Sequence, residues 1–260
     1  MSNDLPFILS PSHKEDILGF SLTVGDSFTC CDEIIDYVSK GSKSWLACFN
    51  PHSYVVSISD RTFSEALHHA NFLVPDGIGV VIASRILKGQ IADRVTGSHI
   101  FHGLSYRMNV AGGFKVFFLG ATEETLTTIR ARMANDYPNI QVAGSYSPPF
   151  KASYTREELN DMINAVNVAS PDILWVGMTA PKQEKWIYQN FNELNFKFAA
   201  GIGAVFDFYA GNVKRSHPVF QRLGLEWLPR LLQQPRRLWK RTFISAPIFI
   251  NRVLRQRFKN

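Results

Sequence analysis

The amino-acid sequence predicts an α/β fold: a mostly parallel sheet with helices on both faces, followed by a basic helical appendage at the C-terminus. Three observations predict it. Between about residues 44 and 213, short apolar runs alternate with amphipathic helical patterns, as in chains built from β-α-β units. Three of those runs end in glycine-containing turns: Phe118-Leu-Gly-Ala121, Val176-Gly-Met-Thr-Ala-Pro181 and Ile202-Gly-Ala-Val205. The charge is segregated. Of 28 basic and 22 acidic residues, 12 and one fall in residues 214–260, a net of +11; the preceding 213 residues keep 16 and 21, a net of −5.

Taken in order, residues 1–15 read as a loose leader, since Pro6 and Pro11 oppose regular structure. Trp45-Leu-Ala-Cys-Phe49 is a buried strand, and Arg61 to Asn71 a helix. Phe72-Leu-Val74 runs into Pro75-Asp76-Gly77, with a helix starting near Ile78. Lys115-Val-Phe-Phe-Leu119 is a strand that Gly120 ends. Thr122 then caps a helix to Asp136, with Glu123 and Glu124 in its first turn. Thr155-Arg-Glu-Glu158 is a capping box for a helix to about Ala169. Asp172 to Val176 is a strand, Pro181 to Asn190 a helix and Lys197 to Ile202 another strand. This gives a Rossmann-like domain over 16–213 and an appendage over 214–260. Ligands in such sheets bind beyond the carboxyl ends of the strands.

Composition excludes several classes. With 45% hydrophobic and 19% charged residues the chain can bury a core. The apolar stretch from Thr242 to Asn251 is broken by Pro247 and too short to span a bilayer. No signal peptide is visible, and Cys30, Cys31 and Cys48 form neither a disulfide framework nor a zinc site, so a cytosolic, reducing location is expected. No Asp-x-Asp pair offers a ligand set for a divalent ion, and no P-loop, dinucleotide fingerprint or nucleophile elbow appears. His68-His69 and His99 with His102 read as ordinary helix histidines.

Several residues could carry chemistry. Asp76, between proline and glycine at a strand end, is placed for general base work, although the spacing alone suits an Asx-turn or an N-cap for the helix near Ile78 somewhat better. Gly77 and Gly203 stand at turns where glycine lets backbone approach a phosphate or a sugar. Arg94 in Asp93-Arg-Val-Thr-Gly97 offers a planar fork to phosphate or carboxylate, or pairs with Asp93. Gln183 and Glu184 fall in the first turn of a helix facing the strand ends; Glu184 alone would be a routine helix-dipole partner. Asp207 sits among apolar residues, where a buried carboxylate needs partners. The tail mixes Trp227, Leu228, Leu231 and Trp239 with Arg230, Arg236, Arg237, Lys240 and Arg241. That suits an anionic membrane interface; nucleic acid, or a helical cap with a solvated basic face, competes.

Taken together, seven segments in this order resemble the WecG/TagA/CpsF glycosyltransferases, glycosyltransferase family 26, from about Trp45 to Arg241. They are Asn50-Pro51, Pro75-Asp-Gly-Ile-Gly79, Asp93-Arg-Val-Thr-Gly97, Val116-Phe-Phe-Leu-Gly120, Ala180-Pro-Lys-Gln-Glu184, Gly203-Ala-Val-Phe-Asp-Phe208 with Ala210-Gly211, and Gly224-Leu-Glu-Trp-Leu228 through Arg230 to Arg237. The resemblance implies an enzyme held at the inner membrane face that moves a hexose or N-acetylhexosamine from a UDP-sugar to a polyprenyl-diphosphate-linked acceptor. Transfer would proceed with inversion, without a metal and with no cofactor. By position it makes Asp76 the catalytic base, puts Arg94, Gln183 and Asn50 in the active site, and brings Arg230 and Arg237 to the acceptor diphosphate. Departures are Cys48 for a common threonine, Thr179 for a common glycine, Arg215-Ser-His-Pro218 for Arg-Ala-Pro, and Lys240 where a third appendage arginine is expected, with Arg241 adjacent. Nucleic acid is not an expected partner; a homo-oligomer stays open. The alternative is a non-catalytic α/β module binding anionic membrane or nucleic acid through its basic tail.

Overall fold

The computed structural model describes residues 13–213 and 239–259. An antiparallel hairpin, β1 (Lys14–Ile17) and β2 (Phe20–Thr23), opens the chain, so regular structure begins just inside the segment expected as leader. Then follow α1 (Ser27–Ser39), β3 (Ser44–Phe49), α2 (Pro51–Ser59), α3 (Arg61–His69), β4 (Phe72–Pro75), α4 (Ile78–Leu87) and α5 (Gly97–Ala111). The second half runs β5 (Lys115–Gly120), α6 (Glu123–Asp136), β6 (Gln141–Tyr146), α7 (Arg156–Ala169), β7 (Ile173–Gly177), α8 (Lys182–Asn190), β8 (Phe198–Gly201) and α9 (Val205–Ala210). After the undescribed stretch, a π-helical segment, Lys240–Ser245, leads into α10 (Ala246–Lys259).

Strands β3 to β8 form one six-stranded sheet in the order β4-β3-β8-β7-β5-β6, every neighbouring pair parallel. The expected mostly parallel α/β sheet is therefore present. Side chains alternate across it, as a period of two requires. Trp45, Ala47 and Phe49 of β3 join the core on one face and Leu46 the core on the other. Leu174 and Val176 of β7 oppose Ile173 and Trp175 in the same way. Burial on both faces gives these strands their nearly continuous apolar text.

Local signals set the helix starts. Thr122 accepts from the Thr125 N–H, and Thr155 with Glu158 forms the capping box. Asn50 caps α2: its Oδ1 accepts from the His52 and Ser53 N–H groups, both at 3.0 Å, while Ser53 Oγ accepts from the Asn50 N–H at 2.7 Å.

The last helix packs into the same core. Phe249 and Val253 are fully buried, and the Phe249 ring meets Tyr54 at 5.5 Å and Phe49 at 6.4 Å, both edge-on. His52 Nδ1 lies 2.9 Å from Ser245 Oγ, and the Leu18 N–H donates to Gln256 Oε1 at 2.9 Å. The outer side of the segment leaves Trp239, Phe243, Ile244, Ile248, Leu254 and Phe258 exposed beside Lys240, Arg252 and Arg255. Among the described residues no helix is long and apolar enough to cross a membrane.

Candidate active site

The carboxyl ends of β3, β4, β7 and β8 surround an open cleft of about 190 Å³, where ligands of parallel sheets bind. Asp76 reaches it from the end of β4. Its N–H donates to Phe49 O at 2.7 Å, and Pro75 O accepts from the Val95 N–H at 2.9 Å. The turn is thus pinned to β3 on one side and to the start of α5 on the other. Gly77 makes the turn at φ 117°, a conformation in which a Cβ is strained, and it caps α4 without any side-chain bond. The N-cap reading of Asp76 therefore fails. The Asp76 carboxyl lines the cleft in a half-buried position.

Cys48 of β3 lies beside it. Burial pushes this thiol well above the usual range, and the Asp76 and Glu184 charges push it further, so it is a neutral neighbour and not another anion. Asn50 lines the same cleft, but its Oδ1 is already spent on the α2 cap.

The first turn of α8 supplies the most enclosed polar pair. Gln183 and Glu184 are 3% and 1% exposed. Gln183 Nε2 donates to Glu184 Oε1 at 2.9 Å, and Gln183 Oε1 accepts from the Gly203 N–H at 3.1 Å. The second carboxyl oxygen, Glu184 Oε2, is buried without a hydrogen-bond partner. Burial pushes this carboxyl up to about 7, against the Gln183 hydrogen bond and the Arg241 charge. Gly203 adopts φ 51°, yet its N–H is taken by Gln183, so it offers no free amide to a phosphate as the sequence had suggested.

The C-terminal segment reaches in as well, through a different residue from the one expected. Lys240 is exposed and lies off the cleft; Arg241 lines it. The i→i+5 bonding of the π-helical turn, with the Ala246 N–H on Arg241 O, sets the register that turns Arg241 inward. Arg241 and burial together push His52 down to about 4, with burial the larger cause, so this ring is neutral at physiological pH.

Other expected site residues lie elsewhere. Asp207 is half-buried and off the cleft, because α9 turns Val205, Phe206 and Tyr209 inward and leaves Asp207 on another face. Arg94 is half-buried in the segment before α5 and does not line the cleft. Arg230 and Arg237 lie outside the described residues. His52, Thr96 and Arg241 line the cleft without having been singled out as site residues. His52 could have been read from the Asn50-Pro51 helix start, and Arg241 from its place beside Lys240. His99 and His102 lie on α5, with His102 Nδ1 3.3 Å from the Tyr137 hydroxyl. Among the described residues no three His, Cys, Asp or Glu side chains cluster as a metal site needs.

Chemically, the cleft combines the half-buried Asp76 carboxyl at the end of β4, the buried Gln183–Glu184 pair on one wall and a guanidinium from the C-terminal segment. Such a set can accept a proton from a hydroxyl and hold an anionic leaving group.

The family described as "Glycosyl transferase WecG/TagA/CpsF family" matches residues 15–260. A Bacillus subtilis protein named N-acetylglucosaminyldiphosphoundecaprenol N-acetyl-beta-D-mannosaminyltransferase is 33% identical over 223 residues, 85% of this chain and 82% of its own. A protein of the same name from Staphylococcus aureus strain MW2 is 29% identical over 254 residues, 96% of each chain. A third, from Bacillus spizizenii, is 29% identical over 219 residues, 84% of this chain and 82% of its own.

Proposed function

Because the chain belongs to the WecG/TagA/CpsF family of glycosyl transferases, we propose that it moves a hexose or N-acetylhexosamine from a UDP-sugar to a polyprenyl-diphosphate-linked saccharide, with inversion and without a metal. N-acetylmannosamine, the sugar in the relatives' names, is the first donor sugar to test, and an N-acetylglucosaminyl diphospholipid the first acceptor. The observation that carries the mechanism is Asp76, accessible at the end of β4 in one cleft with Arg241 from the C-terminal segment. A family of transferases leaves no reason to keep the non-catalytic module.

In this reading the acceptor hydroxyl attacks the anomeric carbon from the face opposite the diphosphate. The new C–O bond forms as the bond to the leaving phosphate oxygen breaks, and Asp76 takes the hydroxyl proton. One such positioned base supplies about 10²- to 10⁴-fold in rate. Glu184 lies in the same cleft with the raised proton affinity of a candidate base. Its sealed position argues against that role, since a base must come within hydrogen-bond reach of the proton it takes. The neutral Cys48 thiol adds no negative charge beside Asp76. The departing diphosphate needs cations, and Arg241 in the cleft, with Arg94, is the candidate; Arg230 and Arg237 keep the role of holding the acceptor diphosphate. The exposed apolar row of α10, with Arg252 and Arg255 beside it, supports docking on an anionic membrane.

The experiment is a panel of UDP-sugars against a short-chain N-acetylglucosaminyl diphospholipid, run with and without chelator. Transfer from one UDP-N-acetylhexosamine that survives chelation, with the product anomer inverted, is expected. Transfer that stops on chelation and returns with magnesium or manganese overturns the metal-independent reading.

A further inference from the structure

The sealed pair on the cleft wall has a polarity that only one arrangement satisfies. Gln183 Oε1 faces the Gly203 N–H, a donor, at 3.1 Å, and Nε2 faces Glu184 Oε1, an acceptor, at 2.9 Å. Rotating the amide by half a turn would set donor against donor at Gly203 and acceptor against a carboxylate at Glu184. The Gly203 N–H cannot change its nature, so Glu184 completes the constraint. The side chain also has little room to evade it: a Cβ placed on Gly201 would lie 3.1 Å from Gln183 Nε2, so the amide lies against the end of β8. After these two bonds Gln183 keeps one Nε2 hydrogen and one Oε1 lone pair for a ligand in the cleft it lines.

We propose that Glu184 is a positioning residue: it locks the Gln183 amide in one orientation, so that Gln183 offers the cleft a fixed donor and acceptor matched to an uncharged hydroxyl or acetamido group of a sugar. A phosphate does not suit this wall. The carboxyl is next to the amide, the Gly203 N–H is occupied, and the guanidinium is supplied by Arg241 on the C-terminal segment. Glu184 borders the same cleft, but its side chain is almost fully buried, so it presents little of itself to a ligand and its bond goes to the Gln183 amide. The proposal rests on the sugar-transfer reading for its substrate class. The amide lock itself does not depend on that reading.

The test is a double-mutant cycle in the full-length protein, with kcat and KM for transfer, UDP affinity by calorimetry and the Gln183 side-chain amide resonance by NMR. Glu184→Leu is expected to lower kcat by about 10- to 100-fold, the scale of one hydrogen bond to a charged group, and to leave UDP affinity within about threefold. Adding Glu184→Leu to Gln183→Ala should cost nothing further, because residues acting as one unit are not additive. Glu184→Gln, which can still accept through its own Oε1, should recover most of what Glu184→Leu loses. In the spectrum the Gln183 amide protons should move in Glu184→Leu and stay near their positions in Glu184→Gln. Losses that multiply in the double variant, a Glu184→Gln protein as inactive as Asp76→Asn, or an unmoved Gln183 resonance in Glu184→Leu would overturn the proposal. If the wild-type chain transfers no sugar while the resonance moves as expected, the transfer reading fails and the amide lock stands.

Discussion

Phe249→Ala tests whether the C-terminal helix is part of the folded domain or merely attached to it. The ring is fully buried in α10, yet it packs edge-on against Tyr54 of α2 and Phe49 of β3, far away in the sequence. Removing a buried phenyl loses its transfer free energy and leaves a cavity, together about 3–5 kcal/mol. Two edge-to-face partners at 5.5 and 6.4 Å put this site toward the upper part of that range. Leu254, 39% exposed on the same helix, is the control, and its replacement by alanine should cost under about 1 kcal/mol. Urea unfolding followed by tryptophan fluorescence gives both numbers. The same variant should reduce sugar transfer, because α10 continues the segment that carries Arg241 into the cleft. An unfolding midpoint for Phe249→Ala that matches Leu254→Ala would refute the reasoning, since the helix would then contribute nothing to the cooperative unit.

Three further outcomes are expected. Asn50→Ala removes both bonds that cap α2 and should cost about 1 kcal/mol in unfolding free energy, whereas Asn50→Asp keeps the cap and most of the stability. Thr179 holds φ 71°, a left-handed conformation that a β-branched residue adopts at a cost of about 1–2 kcal/mol, so Thr179→Gly should raise the melting temperature or leave it unchanged. The Glu184 carboxyl, raised from 4.5 to about 7 mainly by burial, binds its proton more tightly folded than unfolded, so its contribution to stability is full below about pH 4.5 and is lost as pH rises through 7. Glu184→Gln should therefore gain on the wild type by something on the order of 3 kcal/mol between pH 5 and pH 8 in parallel urea titrations; a constant difference would contradict the raised value.

What the sequence carried in local chemistry could be read from it. Capping residues and apolar runs placed β3, α3, β5, α6, α7, β7, α8 and β8 to within two residues, because both faces of the central strands are buried and each cap is a short-range bond. Strand β6 was not legible. It is an edge strand, only partly buried, with Gly144 pressed against the Phe117 ring, so it lacks the apolar run that marks its neighbours. Asp76, Gln183 and Glu184 were legible because each stands at a turn or helix start directly after a strand. Asp207 misled, since apolar neighbours in sequence do not fix the face of a helical residue. Arg241 stands in the sequence beside Lys240, where a third appendage arginine is expected, and it is Arg241 and not Lys240 that the π-helical segment carries to the cleft. Glu184 looked like a helix-dipole partner; its sealed oxygen and its bond to Gln183 exist only once β8 brings Gly203 alongside.

The central claim is that Asp76 takes the acceptor proton in an inverting transfer. It is tested most directly by the single-turnover rate of sugar transfer to a short-chain N-acetylglucosaminyl diphospholipid, comparing wild type with Asp76→Asn at matched UDP-sugar saturation. Asparagine keeps the size and the turn and removes only the base. A fall of about 10²- to 10⁴-fold, with unfolding free energy and UDP affinity unchanged, is the predicted result. Turnover within about threefold of wild type would contradict it, because the proton would then be going to another group.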